Sequence, residues 1–254
     1  MRPLRLLSAA PEGLRSSGNR RSPGLSGVKI SEIFHSIQGE GALAGVPSVF
    51  VRLSGCNLRC TWCDTPYASW NPEGVETTVE AIVEEVRGHS CTHAVITGGE
   101  PMIFPAVVEL TRALKGHGHH ITIETAGTVY QPVACDLMSI SPKLANSTPL
   151  EREAGRWAGQ HDRLRYQPEV LRRLTSEYEY QLKFVVSDPS DLAEIEAILK
   201  GIGADRRRVV LMAEGTTRET IGERAGWIAE ICKREGFRYS PRLHIDLWGD
   251  GRGR

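Results

Sequence analysis

Apolar and polar positions alternate over 28–33, a period of two that predicts a strand. Positions 49–53, behind Pro47, predict a second. Gly39, Gly41 and Gly45 mark the loop between them. Over 54–71, cysteine, proline and tryptophan break every period, so something other than backbone ladders must hold that loop. Thr77-Thr78-Val79-Glu80 has the form of a capping box, and the helix behind it runs to Gly88. A short buried strand follows at 93–97, stopped by Gly98-Gly99, and Pro105 opens a helix reaching Lys115. Strands are predicted at 121–124 and 137–140. The charged stretch 150–178 gives only one helix, 168–176. Strand 180–186, helix 188–200, strand 208–212 and helix 217–235 complete the pattern.

Repeated strand–helix alternation predicts an α/β fold built on a parallel sheet or barrel. In such folds chemistry gathers at the carboxyl ends of the strands. Cys56 follows one predicted strand, Gly98-Gly99-Glu100 the next, Glu124-Thr125 the third and Ser141-Pro142-Lys143 the fourth. Four polar motifs at the same end predict a single cavity.

Composition narrows the function classes. Lysine plus arginine number 31 and aspartate plus glutamate 31, which gives no argument for nucleic acid or an anionic membrane as a partner. No apolar run approaches the ~20 residues of a bilayer span. Three of six cysteines crowd into one loop and Cys91, Cys135 and Cys232 are scattered, unlike a secreted disulfide scaffold. That pattern reads as an intracellular, cytoplasmic protein. Residues 1–27 are rich in arginine with Glu12 as their one acid. They read as a disordered tail before a single domain over 28–254, with a targeting segment as the alternative.

Cys56, Cys60 and Cys63 have the spacing C-x3-C-x2-C. Thiolates suit soft metals and iron–sulfur clusters. Three of them would leave one iron of a four-iron cubane open to a small molecule. The alternative is a structural zinc, which wants four ligands and would need His35 or a distant cysteine as the fourth.

The cysteine loop, with Trp62 before its third cysteine, resembles that of the radical S-adenosylmethionine superfamily, and Gly98-Gly99-Glu100-Pro101 resembles its GGEP motif. The stretch from Ile33 to Gly41, Phe50 to Asn57, Cys63-Asp64-Thr65, the run from Glu124 to Thr128 and Ser141-Pro142-Lys143 look like elements of the 7-carboxy-7-deazaguanine synthase family. The ending from Pro241 to Gly249 resembles the PQLH…LWG of some members, with Arg242 in place of the glutamine. The resemblance covers about 28–251; residues 1–27 and the segment 150–178 have no clear counterpart.

The resemblance implies a partial, open and shortened TIM-like βα barrel. It implies a carbon–nitrogen lyase that converts 6-carboxy-5,6,7,8-tetrahydropterin to 7-carboxy-7-deazaguanine with loss of ammonia, in 7-deazapurine and queuosine biosynthesis. A radical enzyme that installs a glycyl radical on a protein partner is the alternative. The implied cofactors are a [4Fe-4S] cluster on Cys56, Cys60 and Cys63, S-adenosylmethionine, and Mg2+ on Thr65. Trp62, Gly99, Glu100, Glu124, Ser141, Pro142, Lys143, Met212 and Glu214 would meet S-adenosylmethionine. Ile37, Gln38, Gly39, Glu40, Arg52, Thr97, His244 and Trp248 would meet the pterin, Arg52 through its carboxylate. A flavodoxin or ferredoxin donor and a homodimer are also implied.

Overall fold

The computed structural model describes residues 27–254. The expected tail lies outside them except for Gly27, which already belongs to a strand. Nine strands form one sheet: β1 (Gly27–Ile37), β2 (Pro47–Leu53), β3 (Val75–Thr78), β4 (His93–Gly98), β5 (His120–Thr125), β6 (Leu137–Ile140), β7 (Tyr180–Val186), β8 (Val209–Ala213) and β9 (Arg238–Ser240). Their order is β3-β1-β2-β4-β5-β6-β7-β8-β9. β1 runs antiparallel to β2 and β3. Every pairing from β2 through β9 is parallel. The sheet does not close, so the architecture is an open, partial βα barrel.

Helices cover the parallel strands. They are α1 (Val79–Gly88), α2 (Ala106–Gly116), α3 (Ala158–Arg165), α4 (Pro168–Glu177), α5 (Asp191–Ile202), α6 (Arg218–Glu235) and α7 (Leu243–Trp248). α1 buries Val79, Ile82, Val83 and Val86, the spacing of one helical face. Its cap is Thr78, whose hydroxyl accepts from the Ala81 backbone N–H at 3.3 Å. The expected capping box is thereby corrected: the cap is Thr78, one residue later than the Thr77-to-Glu80 spacing requires. The central strands are nearly continuous apolar runs because helices shield the sheet. In β7 every residue after Tyr180 is buried, and one of them is Lys183.

Candidate active site at the carboxyl ends of the strands

After Leu53 the chain leaves β2 and carries Cys56, Cys60 and Cys63 on a loop without a ladder of its own. Other parts of the chain hold it. The Gly55 N–H donates to Ala68 O (2.8 Å), the Thr61 N–H to Ser147 O (2.8 Å), and the Trp70 indole to Cys60 O (3.0 Å). The Arg59 N–H donates to Nδ1 of His161 (3.1 Å), and the other ring nitrogen of His161 lies 2.9 Å from the Ser147 hydroxyl. His161 is on α3, in the stretch that matched no family element, yet it braces the loop between two cysteines. Burial and the nearby Arg165 charge lower its pKa to about 4, so the ring is a neutral brace.

All three thiols are free and line one cavity of about 640 Å³. Burial pushes the Cys56 thiol up to about 12 and raises Cys60 as well. They become ligands only by giving up protons to a metal that repays the cost. The donor set fits a four-iron cluster: three soft ligands on one loop, facing space. A structural zinc wants four ligands, and the candidates for the fourth, His35 or a distant cysteine, do not line this cavity.

The chain after β4 comes close to this loop. Gly98 has φ +144° and a Cβ there would strike the Leu53 backbone; on Gly99 it would meet the carbonyls of Gly55 and Ala68. Both glycines line the cavity. Glu100 does not. It is 0% exposed, and its carboxylate accepts from the Met102 N–H (3.0 Å), the Thr125 hydroxyl (2.8 Å) and the Ala126 N–H (2.7 Å). Its carboxylate ties the end of β4 to the end of β5.

The next strands complete the wall. Ser141 and Lys143 follow β6, with the Lys143 ammonium donating to Ser141 Oγ at 2.8 Å and lying 5.8 Å from the Trp62 ring centroid. Met212 of β8 lines the cavity, as do Trp62, Thr65 and Thr97. Pro142 is buried outside it. Glu214 is turned to the Arg224 guanidinium at 2.8 Å, and Trp248 is 42% exposed, so neither faces the cavity.

Along the same cavity, Ile37, Gln38, Gly39 and Glu40 leave β1 and join Arg52 and His244. Gly39 lies against the His244 imidazole, which a Cβ would overlap. Arg52 donates through Nε to Glu32 (2.6 Å), and the Tyr67 hydroxyl donates to the same oxygen (2.9 Å). Its Nη groups remain for a ligand anion.

Three residues that the sequence reading missed organise this end. Lys183 donates to Glu40 (2.5 Å) and Glu124 (3.0 Å). Arg242 donates to Glu40 (3.1 Å), Asp64 (2.6 Å) and Gly215 O (2.5 Å). Burial opposes the charge on Glu40, but Lys183 and Arg242 overcome it and hold the carboxyl well below its usual range. Glu124 also accepts from Gln38 (3.2 Å) and Ser139 (3.1 Å), which groups it with the glutamine–glycine loop. A lysine inside an apolar strand was the available signal for Lys183.

Comparisons with known proteins fit this geometry. The family model described as the radical SAM superfamily matches residues 50–146. The 7-carboxy-7-deazaguanine synthase of Halobacterium salinarum is 46% identical over 234 residues, covering 88% of this chain and 91% of the relative. That of Rhodopirellula baltica is 42% identical over 229 residues, covering 90% and 89%. The crystal structure of QueE from Escherichia coli is similar with a TM-score of 0.64 and 25% identity, covering 84% of this chain and 93% of that one.

Proposed function

Because this chain belongs to the 7-carboxy-7-deazaguanine synthase family, we infer that it is a lyase forming 7-carboxy-7-deazaguanine from 6-carboxy-5,6,7,8-tetrahydropterin with release of ammonia. The supporting observation is one cavity with two chemistries. Three thiols and two glycines line one part; Gln38, Glu40, Arg52 and His244 line another. Its volume of about 640 Å³ suits a small molecule. The reading as an activase of a protein partner has no support here.

Cys56, Cys60 and Cys63 would hold the [4Fe-4S] cluster. Gly99, Ser141, Lys143 and Met212 would lie along S-adenosylmethionine, with Trp62 flanking it. When bound, the pair supplies one-electron carbon–sulfur cleavage and hydrogen-atom abstraction from the substrate. The chain's own part is position and charge. Arg52, oriented by Glu32 and Tyr67, presents its free guanidinium edge to the substrate carboxylate, a geometry that suits its planar fork. Ile37, Gln38, Gly39 and Thr97 shape the pterin site, and His244 closes against Gly39. Thr65 would offer a hydroxyl to Mg2+, a cation that prefers oxygen ligands and keeps several waters. A flavodoxin or ferredoxin donor, a homodimer and a cytoplasmic site of action complete the proposal, together with the single domain over 28–254.

The test is an anaerobic assay of reconstituted protein with 6-carboxytetrahydropterin, S-adenosylmethionine, Mg2+ and dithionite, read by mass spectrometry. The expected product is 7-carboxy-7-deazaguanine. Production of 5′-deoxyadenosine without it would overturn the substrate assignment.

A further inference from the structure

Lys183 lines the cavity from the middle of β7 and is 4% exposed. It reaches two acids from different parts of the chain: Glu40 behind β1 and Glu124 on β5. One ammonium thus holds two carboxylates that, without a shared cation, would repel each other. Glu40 has Arg242 as a second cation, whereas Lys183 is the one charged partner of Glu124 among the described residues. The remaining neighbours of Glu124 are the amide of Gln38 and the hydroxyl of Ser139. Gln181 in turn donates to Ser139 (2.8 Å) and accepts from the Ala42 N–H (2.8 Å), tying the acid pair to the loop behind β1. The charged and titratable groups facing the pair are Lys183, Arg242, Asp64 and His244.

We propose that Lys183 is a positioning residue for substrate recognition: its ammonium clamps Glu40 and Glu124 side by side as a paired acceptor for the N–H donor edge of the pterin ring. The inference rests on the pterin reading above. A 2-amino-4-oxopyrimidine ring presents an exocyclic amine and a ring N–H together, and two adjacent ionised carboxylates accept from both. Lysine suits this task as a compact charge with three donors, two of which are spent on the acids. Burial opposes the Lys183 charge, but Glu124 and Glu40 outweigh it and raise its pKa, so it serves as a fixed cation.

Binding of 6-carboxypterin, a stable oxidised analogue, to the cluster-loaded protein tests this by calorimetry between pH 5.5 and 7, where the analogue keeps its ring N–H. Wild type is expected to bind with nearly constant affinity over that range. In Lys183→Met the acid pair, left with Arg242 alone, is no longer held by a shared cation. Affinity should then be at least tenfold weaker at pH 5.5 and should recover in part toward pH 7. Lys183→Arg should restore most of the affinity and the flat profile. Glu124→Gln in the Lys183→Met background should remove the pH dependence. Iron content and melting temperature, measured on each variant, separate misfolding from lost recognition, and Lys183→Gln serves if the methionine variant does not fold. A Lys183→Met protein that loads iron and binds the pterin as wild type does, with a flat profile, overturns the proposal. Failure of wild type itself to bind the pterin overturns instead the substrate reading on which it rests.

Discussion

The Arg242 guanidinium donates to Asp64 at 2.6 Å, joining the start of α7 to the residue directly after the last cysteine of the loop. The same side chain donates to Glu40. One buried cation therefore links the cysteine loop to the loop behind β1.

Arg242→Gln should leave Glu40 with Lys183 alone and Asp64 without its cation. Loss of one partner from a buried ion pair costs about 3 kcal/mol. That corresponds to a melting temperature roughly 6 to 12 °C lower for a chain of this size. Thermal unfolding of the cluster-loaded protein checks it.

His161 makes stability depend on acid. Its folded-state pKa of about 4 lies below the ordinary histidine value because of burial first and Arg165 second. The unfolded chain then binds a proton that the folded one refuses. Stability present above pH 6.5 should be lost as pH falls toward 4, on the order of 3 kcal/mol in all. Denaturant midpoints at pH 4.5 and 7 should differ in wild type and converge in His161→Gln.

The metal assignment separates the cysteines into two groups. Cys56→Ala, Cys60→Ala and Cys63→Ala should each abolish cluster loading. Cys91→Ala, Cys135→Ala and Cys232→Ala should not, because those side chains pack against the hydrophobic core. Iron content and the brown absorbance decide this, and full iron in Cys60→Ala would refute it.

Gly39→Ala should push His244 out of place, since the new methyl would occupy the position of the imidazole. The expected result is a KM for the pterin roughly tenfold higher, a loss of about 1.4 kcal/mol. The KM for S-adenosylmethionine should change little.

Thr65→Ala should reduce stimulation by Mg2+ while leaving iron content intact. Equal activity with and without Mg2+ added to that variant, against a clear response in wild type, is the expected reading. An undiminished Mg2+ response in the variant would remove the role.

Much of this molecule was legible before its structure. The strands β2, β4, β5, β6, β7 and β8 are apolar runs that only a shielded parallel sheet explains, and the polar motifs at their ends do meet in one cavity. The elements that escaped have little apolar signal. β3 has no buried residue, β9 buries only Ser240, and α3 buries only His161. Their places are set by pairing and hydrogen bonds to distant segments, which no local period encodes. The same cause hid the charge network. Asp64, Lys183 and Arg242 look unrelated along the chain and are linked, through Glu40, only when the fold brings their segments together. Motifs also say nothing of orientation: Glu100 and Glu214 sit at strand ends, and their carboxylates accept from the Ala126 N–H and Arg224.

Arg242 stands 178 positions behind Asp64, and His161 stands 102 behind Arg59. A ribosome adding about 5 to 20 residues each second makes the cysteine loop roughly 10 to 35 s before its last brace. Throughout that interval the three thiols belong to a nascent chain whose loop is not yet pinned. The site can therefore take its final geometry only once nearly the whole chain has been made.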